Sequence, residues 1–553
     1  MAKNNLIFEV EGKPSIGKLL IFALQQVLAV LAATILVPTI IGLPIQMPAA
    51  ILGAGLGTIV YLLFTRFKSP VVISSSFAFL GALGHAIVFG YMGIILGGVF
   101  AGLVYVAIAL VVKFAGTAWV EKLMPPVIIG PTVALIGLSL AGNATADMVT
   151  ASVAQPNAGY NLIALLCGLV TFFTVVICSV QNKFKTGRLI PFIIGIGVGY
   201  VVASIFTAIG YGAHADYLKV LNWDPLINNF KEISVESFIT YPRFALIGAI
   251  KELVNGEVSA EILAANGGAH VITGVGVAEV ALAFIPVAFV TFAEHIADHK
   301  NLSSVINRDL LTDPGLSRTL LGDGVGSIVG TVFGICPNTT YGESVGCVAI
   351  TKNASVRTIF VAACMLVVLS FLSPITALLR TIPNCVMGGV CLTLYGFIAV
   401  SGFKMFQKVD LNDNKNLFIV AAILISGIGG LSIQIPYALW SKNDAEVLAG
   451  IIPEGQVKNA ITITSIATAL ILGIVTMVVC NAVEKHNAPE QEAKEDTFIN
   501  GVPFLKGQVT NAITITSIAT ALILGIVTMV VCNAIEKRNA PEEDEAPEAK
   551  PEE

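Results

Sequence analysis

Two glutamates lie in polar patches beside long apolar stretches of the sequence. Glu294 is near the end of the apolar segment FIPVAFVTFAEHIADH, and Glu343 is inside the polar segment PNTTYGESVG. An ionisable side chain in a membrane-spanning segment is costly, so such residues usually bind or move a substrate or an ion. The alternative is structural, because a glutamate near a helix end can cap the helix or extend to the membrane surface. The joint occurrence of the two patches favours a functional site.

A third segment, SSSFAF from Ser74 to Phe79, combines hydroxyls and aromatic rings without charge. Where a helix begins in mid-membrane, its first backbone N–H groups have no partner within the helix and can donate to the carbonyl oxygens of a ligand. The Phe77 ring either lies against a planar ligand or is ordinary packing. Two carboxylates that accept N–H bonds and amides that donate to C=O groups complement an imide ring such as uracil. A sulfate or a sugar acid would need basic residues, which these segments lack.

The composition is typical of a protein embedded in lipid. The 553 residues are 55% hydrophobic and 12% charged, whereas soluble domains are about 25% charged. Apolar stretches long enough to cross a hydrocarbon core of about 30 Å recur from Ser15 to Asn481. Met1 to Lys13 is mostly polar and the first apolar run is too long for a cleaved leader, so we expect that run to remain as a span. The sequence therefore predicts a helical membrane protein.

Several kinds of chemistry are not expected. The basic residues are spread over short loops, which argues against nucleic-acid binding. The nine cysteines lie in or beside apolar segments without paired CxxC or Cys/His spacing, so neither a metal site nor a disulfide is predicted. The sequence shows no nucleophile and base at catalytic spacing, so we expect neither an enzyme nor a cofactor.

Twelve apolar runs have the length of ordinary spans. They cover 16–42, 48–65, 87–112, 124–142, 161–180, 189–210, 275–297, 316–335, 357–378, 385–403, 416–435 and 457–482. Val71 to Leu83 and Tyr341 to Thr351 are too short or too polar to cross as ordinary helices, so we interpret them as broken, half-membrane elements. They bring the total to fourteen and fall third in each half of a seven-plus-seven arrangement. Because each half has an odd number of spans, the second half is inverted in the membrane relative to the first. Broken segments at corresponding positions of two inverted halves predict a transporter with a midplane site. The alternative is two re-entrant loops that bind no substrate.

The distribution of Lys and Arg predicts a cytoplasmic N-terminus, because these residues concentrate in cytoplasmic loops. The loops assigned to the cytoplasm contain Arg66, Lys68, Lys113, Lys122, Lys183, Lys185, Arg188, Lys300, Arg308, Lys352, Arg357, Lys404, Lys408 and Lys415. The opposite loops 84–90 and 143–160 contain none. The stretch 211–274 is partly basic, but long loops cross largely regardless of charge. We predict that it forms an extracytoplasmic helix and loop.

The C-terminal part contains a tandem duplication. Residues 455–490 recur at 507–542 with differences at Lys458/Thr510, Val483/Ile535 and His486/Arg538. The predicted division is a cytoplasmic N-terminus 1–15, a first repeat 16–210, an extracytoplasmic insertion 211–274, a second repeat 275–485, a polar linker 486–506, the copied helix 507–542 and an acidic tail 543–553. Whether the copy crosses the membrane, lies on it or packs loosely stays open.

Longer segments resemble a known family. They are SSSFAF, FAEHIADHKNLSSVINRDLLTDPGLSR, GDGVGSIVGTVFGICPNTTYGESVGCVAITK and IPNCVMGGV, within a likeness that covers roughly 17–485. They are similar to the nucleobase/ascorbate transporter family, in particular its bacterial uracil permease branch. The resemblance implies an all-α polytopic fold of fourteen spans in two inverted repeats, with short strands and half-helices in spans three and ten. It also implies a core domain that contains these broken spans and a gate domain built from spans five to seven and twelve to fourteen.

The resemblance also implies roles for individual residues. Glu294 would bind the base, with Glu343 as its partner from span ten. The backbone amides of Phe77 and Gly342 would donate to the carbonyl groups of the base. Two neighbouring residues complete the implied binding set, namely Ser76 and Tyr341.

Three positions depart from the family pattern. Ser344 replaces the usual Asn of the signature, and a hydroxyl reaches less far than an amide. Asp298 stands where a histidine usually follows the glutamate by one turn, and Gln26 replaces the histidine of span one. His295 and His299 flank that turn but face elsewhere on a helix, so we treat both as residues of the cytoplasmic end.

The sequence-based hypothesis is proton-coupled uptake of a nucleobase by alternating access across a bacterial cytoplasmic membrane. A carboxyl group removed from water favours its protonated form, so Glu294 is the expected proton carrier and Asp298 a second acceptor. The predicted partners are uracil or a related base, a proton, the lipid bilayer and a possible homodimer. A xanthine or uric acid permease of the same family is the alternative, and a sulfate-type anion transporter is a more distant one.

Overall fold

The computed structural model describes residues 6–151, 160–180, 190–407, 409–436 and 460–495. Met1–Ile474 form one compact unit, and Val475–Glu553 form a second, of which 475–495 are described and helical. The copied helix 507–542 and the acidic tail lie outside the described residues.

Helices make up most of the described chain. The first half contains α1 (Ile16–Ile40), α2 (Met47–Phe64), α3 (Leu80–Ala86), α4 (Gly90–Ala115), α5 (Ala118–Leu123), α6 (Pro126–Ser139), α7 (Ala141–Met148), α8 (Leu162–Val180) and α9 (Pro191–Gly212). The stretch that follows contains α10 (Asp224–Phe230), α11 (Ala245–Asn255) and α12 (Ala260–Ala265). The second half contains α13 (Gly274–Ile306), α14 (Leu316–Phe333), α15 (Gly342–Thr351), α16 (Val356–Ser370), α17 (Ser373–Leu379), α18 (Asn384–Phe406), α19 (Asn414–Ile428) and α20 (Ser465–Glu495).

The lengths and composition of these helices define a multi-pass membrane protein. Within the described residues, nine helical stretches are long and apolar enough to cross a membrane, and α16 and α19 are shorter apolar helices. Each of the twelve predicted ordinary spans contains a helix. The helix α14, at predicted span 316–335, is not among the nine because its Gly, Ser and Asp residues lower its hydropathy.

Three predicted boundaries were wrong. The span at 357–378 is divided into α16 and α17, because Pro374 lacks an N–H group and starts a new helix. The span at 416–435 ends at Ile428, where Gly430 has φ +73° and lets the chain turn. The described part of the span at 457–482 begins as strand β4 (Ala460–Ile463), which pairs with β3 (Ile433–Pro436), because a run of β-branched Ile and Thr residues favours a strand.

The last described helix is also longer than predicted. The sequence places the end of the second repeat at 485 and a polar linker after it, whereas α20 continues to Glu495. Ala, Glu, Gln and Lys dominate 488–495, and these are strong helix formers.

The first predicted broken segment, Val71 to Leu83, contains a short strand followed by a helix, whereas the second, Tyr341 to Thr351, is helical from Gly342 and its strand lies just before it. The strand β1 (Ile73–Ser75) leads through a 3₁₀ turn (Phe77–Phe79) into α3, and β2 (Asn338–Thr340) leads into α15. The two strands pair antiparallel, with Ser74 opposite Thr339. Because lipid offers no hydrogen bonds to an exposed backbone, extended chain at membrane depth must find its partners within the protein. Each strand provides some of them for the other, and side chains provide more, as where the Thr58 hydroxyl donates to the Ile73 carbonyl group at 3.0 Å.

Helix packing divides the spans into two groups. In the first group, α2 and α4 pack on α14, α16 packs on α1 and α2, and α13 packs on α4. In the second, α18 packs on α6, α7 and α8, while α9 packs on α8 and α19 on α6. The pairing of α2 with α16 has a counterpart in the pairing of α14 with α4. In a seven-plus-seven arrangement, α2 of the first half corresponds to α14 of the second, and α4 corresponds to α16. The two pairings are therefore equivalent contacts between the two halves of the chain.

Glycines allow α4 and α14 to approach closely. A Cβ atom on Gly102 would lie 2.5 Å from the Gly324 carbonyl oxygen, and one on Gly324 would lie 2.8 Å from the Gly102 carbonyl oxygen. A side chain at either position would push the backbones apart. Small residues at such crossings are typical of helix packing in membranes, where close van der Waals contact replaces the hydrophobic effect.

The N-terminal segment lies along the chain that follows α15. The Ile7 amide donates to the Lys352 carbonyl group at 2.7 Å, and the Ala354 amide donates to the Phe8 carbonyl group at 2.9 Å. The Ser355 hydroxyl donates to the Gly12 carbonyl group at 2.7 Å. Residues 7–12 therefore hold the C-terminal end of the half-helix α15 in place.

An ion-pair cluster joins the same segment to the connection between α13 and α14. Arg308 donates to Glu11 at 2.6 Å and to Asp313 at 2.7 Å, and Lys68 donates to Asp313 at 2.6 Å. Hydrogen bonding to Arg308 lowers the pKa of the Glu11 carboxyl, and hydrogen bonding to Lys68 and Arg308 lowers the pKa of Asp313. The ionised forms are thus favoured in the folded protein.

We predict that Arg308→Gln lowers the melting temperature in detergent at neutral pH and that this effect disappears in acid. A carboxyl whose pKa is lowered by folding stabilises the protein above its unfolded pKa and loses that contribution as pH falls through the folded pKa. The difference between the parent and the variant should therefore begin to shrink as pH falls below about 4 and vanish only below the lowered pKa values of Glu11 and Asp313. The control is Lys300→Gln, which removes an exposed cation from the same region. A pH-independent difference between the parent and Arg308→Gln would contradict the prediction.

Candidate substrate-binding site

The two strand–helix elements present helix N-termini to one space. Ser76 precedes the 3₁₀ turn that leads into α3, and Tyr341 precedes α15. The Ser76 amide donates to the Pro337 carbonyl group at 3.0 Å, and the Tyr341 hydroxyl donates to the Ser75 carbonyl group. These contacts hold each helix start against the opposite strand. The first N–H groups of a helix have no partner within it, so both N-termini can donate to a ligand.

A cavity of about 570 Å³ lies beside these helix starts. This size is within the range of about 300–1,000 Å³ that is usual for small-molecule sites. Among the lining residues are seven that the sequence singles out, namely Ser76, Phe77, Glu294, Asp298, Tyr341, Gly342 and Glu343. Apolar residues such as Ala29 and Val133 complete much of the wall. The cavity continues to the exposed Lys404, on the side predicted to be cytoplasmic.

Three carboxyl groups face this cavity. Glu294 and Asp298 are one turn apart on α13, and Glu343 lies in the first turn of α15. Asp298 accepts a hydrogen bond from the Thr340 hydroxyl at 2.9 Å, whereas one carboxyl oxygen of Glu294 is buried without a hydrogen-bond partner among the described residues. A buried carboxyl oxygen without a partner is costly. Glu294 is therefore positioned to accept a bond from a ligand.

Backbone access to the cavity depends on Gly342. A Cβ atom built on this residue would lie 3.6 Å from a carboxyl oxygen of Asp298. That distance is ordinary contact, so a methyl group would fit but would fill the space in front of the helix start. Glycine leaves this space free for a ligand atom to approach the amide groups.

The Phe77 ring is held in place from behind. Its ring meets that of Tyr395, on α18, edge to face, with centroids 5.4 Å apart and planes at 82°. Such aromatic pairs contribute about 0.5–1.5 kcal/mol beyond their buried area. Phe77 therefore packs against the protein and also lines the cavity.

Ser344 and Gln26 lie behind the cavity wall and bind each other. The Ser344 hydroxyl donates to the Gln26 side-chain oxygen at 3.0 Å and accepts from the Val72 amide at 3.0 Å. The Gln26 amide donates to the Ser344 carbonyl group at 3.4 Å. The short hydroxyl thus joins α1, α15 and the residue before β1. Neither residue is among those that line the cavity.

The opposite face of α13 carries a buried polar network. His295 contacts Asp323 at 2.6 Å through Nδ1 and Thr319 at 3.0 Å through Nε2. The His299 Nδ1 atom donates to the His295 carbonyl group at 2.8 Å, and its Nε2 atom lies 2.8 Å from the Tyr61 hydroxyl. The two histidines face away from the cavity, as expected. They are also fully buried, and their place at the cytoplasmic end stays a prediction.

Asp323 was missed in the sequence, although it satisfies the criterion that identified the glutamates. It is an ionisable residue inside a membrane helix and is only 1% exposed. The contact with His295 fixes the rotation of α13 and so directs Glu294 and Asp298 toward the cavity. Lys404 and Asn301, which also line the cavity, were missed as well. Asn301 lies two turns after Glu294, so helical periodicity could have found it.

The chain matches the family described as "Permease family" over residues 17–435. It belongs to this family, which is a class of membrane transporters, and the resemblance stated from its motifs is confirmed. The chain is 35% identical to a protein named uracil permease from Bacillus caldolyticus, over 78% of this chain and 90% of the relative. It is 35% identical to the uracil permease of Bacillus subtilis, over 79% and 91%, and 31% identical to that of Escherichia coli K12, over 77% and 88%.

Two solved structures show weaker similarity. The transmembrane domain of the cyanobacterial bicarbonate transporter BicA has a TM-score of 0.46 at 16% identity, over 75% of this chain and 95% of that chain. The overall structure of SLC26A9 has a TM-score of 0.49 at 11% identity, over 84% and 66%. These scores are too low to support an argument about fold or function.

We predict that His295→Ala destabilises the protein more than His299→Ala. Removing His295 leaves Asp323 as a buried carboxyl without this hydrogen-bond partner, and a buried polar group left unsatisfied costs about 1–3 kcal/mol, or more if it is charged. Removing His299 breaks bonds to neutral partners, each worth about 0.5–1.5 kcal/mol. The two residues are matched controls because both are fully buried on one helix.

The measurement is the melting temperature in detergent, together with the affinity for substrate. A double variant, His295→Ala with Asp323→Ala, should recover part of the stability because no uncompensated carboxyl remains. Equal losses of melting temperature in His295→Ala and His299→Ala would contradict the prediction, because the contact with Asp323 would then stabilise the protein no more than the bonds of His299.

Proposed function

We propose that the chain is a uracil permease that couples uptake of the base to a proton across a bacterial cytoplasmic membrane. The names of the relatives support uracil as the substrate. The observation that carries the mechanism is a single cavity that brings together two helix N-termini, the Phe77 ring and three carboxyl groups. No cofactor is part of the proposal.

The chemistry of uracil suits this arrangement. Its two ring N–H groups are donors, and the carboxyl groups of Glu294 and Glu343 can accept from them. Its two carbonyl oxygens are acceptors for the amide groups of Phe77 and Gly342. The planar ring would lie against Phe77. Hydrogen bonds to charged groups contribute about 1.5–3 kcal/mol each, so a few such bonds provide both affinity and orientation.

Proton coupling follows from the number of carboxyl groups. Three ionised carboxylates around a largely apolar cavity repel one another, and this repulsion is strong where water is scarce. A proton on Glu294 relieves it and prepares the site for a neutral base. Asp298, which already accepts a bond from Thr340, is the second proton acceptor in this scheme. Release of proton and base toward the cytoplasm would restore the repulsion and reset the transporter.

Alternating access requires two bodies that move against each other. The helix group of α1 to α4 with α13 to α16 would be the core domain, and the group of α6 to α9 with α18 and α19 the gate domain. Support comes from the separate packing of the two groups and from the reciprocal contacts of α2 with α16 and α14 with α4. This pattern is expected of fourteen spans in two inverted repeats. The proposal also retains a homodimer as the assembly.

Glu294→Gln is predicted to abolish proton-driven accumulation of uracil. The amide keeps the shape of the protonated carboxyl and one acceptor oxygen but cannot take up or release a proton, so base binding should fall by no more than about 10-fold. Glu279→Gln is the matched control, because it makes the same change on the same helix at a position outside the cavity lining. Uptake into proteoliposomes with and without a pH gradient is the measurement. Gradient-driven accumulation by Glu294→Gln would refute the assignment.

The substrate is tested by offering labelled uracil, xanthine and sulfate separately to the same proteoliposomes. We expect accumulation of uracil alone, and only when the exterior is more acidic than the interior. Accumulation of xanthine in place of uracil would favour the purine permease alternative. Accumulation of sulfate would overturn the nucleobase proposal altogether.

A further inference from the structure

The helix α11, in the stretch between α9 and α13, has three distinct faces. Its narrow buried face consists of Ala245, Ala249 and Glu252 and packs against α4 and α14. A second face carries large apolar side chains that are 36–78% exposed, namely Leu246, Ile247, Ile250, Leu253 and Val254. A third flank carries the exposed Lys251 and Asn255. With 3.6 residues per turn, the apolar and polar groups fall on separate sides of the helix.

The buried face fixes α11 to the end of a membrane-spanning helix. Glu252 accepts from the Tyr91 amide at 2.8 Å, and its other carboxyl oxygen accepts from the Ser259 amide at 3.0 Å and hydroxyl at 2.7 Å. Gly248 lies against the Tyr91 ring, where a Cβ atom would come within 2.5 Å of a ring carbon. Because α4 begins at Gly90, α11 is level with the boundary of the hydrocarbon region. This boundary is on the side predicted to be extracytoplasmic.

The chain just before α11 contacts the end of a neighbouring span. Phe244, just before α11, meets Phe333 at the end of α14 edge to face, with ring centroids 6.1 Å apart. Phe333 is itself 40% exposed. Tyr241 is 80% exposed and meets Phe371 at 6.2 Å. Tyr is enriched at membrane interfaces, where its ring is apolar and its hydroxyl is polar.

We propose that α11 lies in the plane of the membrane interface, with its apolar face in lipid and the flank of Lys251 and Asn255 toward water. The partner is the phospholipid bilayer, into which such helices bury about 5–10 Å of their apolar face. A second copy of the chain is the competing occupant. Lipid fits better because α11 is attached to the first turn of α4 through Tyr91, and the chain that enters α11 contacts the partly exposed end of α14 at Phe333. The segregated polar flank is also typical of a helix that has water on one side and lipid on the other.

The test places a tryptophan on each face of α11. Ile250→Trp and Asn255→Trp are made separately in the full chain and reconstituted in nanodiscs of phosphatidylcholine brominated near the carbonyl end of its acyl chains. The signal of the three native tryptophans is subtracted with the parent protein. We expect quenching of the added tryptophan at 250 to exceed that at 255 by about twofold or more, since only the apolar face contacts the acyl chains.

Val254→Trp is a second probe of the apolar face if Ile250→Trp does not fold, and the melting temperature of each variant reports folding. Equal quenching at the apolar and polar positions would overturn the proposal. So would formation of a disulfide-linked dimer by Ile250→Cys without lipid quenching at 250 or 254, which would assign the face to a second copy. Neither readout depends on the transported substrate.

Discussion

Pairing of β1 with β2 is the constraint on which the rest of the molecule depends. An extended backbone at the depth of the membrane is tolerated only where the protein itself satisfies its N–H and C=O groups. Each strand contributes three residues to this pairing, with Ile73 opposite Thr340 and Ser75 opposite Asn338. Because each strand leads into a helix, the same pairing determines where two helix N-termini begin. The cavity, its backbone donors and the position of Glu343 all follow from it.

The helix α13 extends this arrangement through its two faces. One face brings Glu294 and Asp298 to the cavity, and the other buries His295 and His299 against α14 and α2. A helix with polar side chains on both sides has little freedom to rotate, since rotation would break bonds on one side or the other. The network around Asp323 therefore contributes to the site without touching it. It does so by fixing the direction in which the carboxyl groups point.

Much of the site could be predicted from local sequence, because a charged residue in an apolar stretch is conspicuous by itself. The broken segments were identified because they are too short or too polar to cross as ordinary helices, and Glu294 and Glu343 because they are charged. Asp323 was not identified, because the glycines around it make its helix less apolar and so hide the anomaly.

The register of β1 with β2 and the partner of Ser344 could not be predicted from the sequence. Gln26 and Ser344 are separated by 318 residues, and the pattern of residue types within a short stretch of sequence carries no information on contacts between such distant residues. The strand β4 was absorbed into an apolar run because periodicity alone does not separate short strands from helices.

The attachment of the first residues to the chain after α15 has a practical consequence. The half-helix α15 contains only ten residues. The chain at its far end is held by backbone hydrogen bonds with Ile7 and Phe8 and by the Ser355 hydroxyl, which donates to the Gly12 carbonyl group. An affinity tag or fluorescent protein fused directly before Ile7 would therefore pull on an element whose other end faces the cavity. Fusion partners for purification or imaging should be separated from this segment by a flexible spacer, and transport rates of N-terminally fused protein should be compared with those of protein from which the fusion has been cleaved.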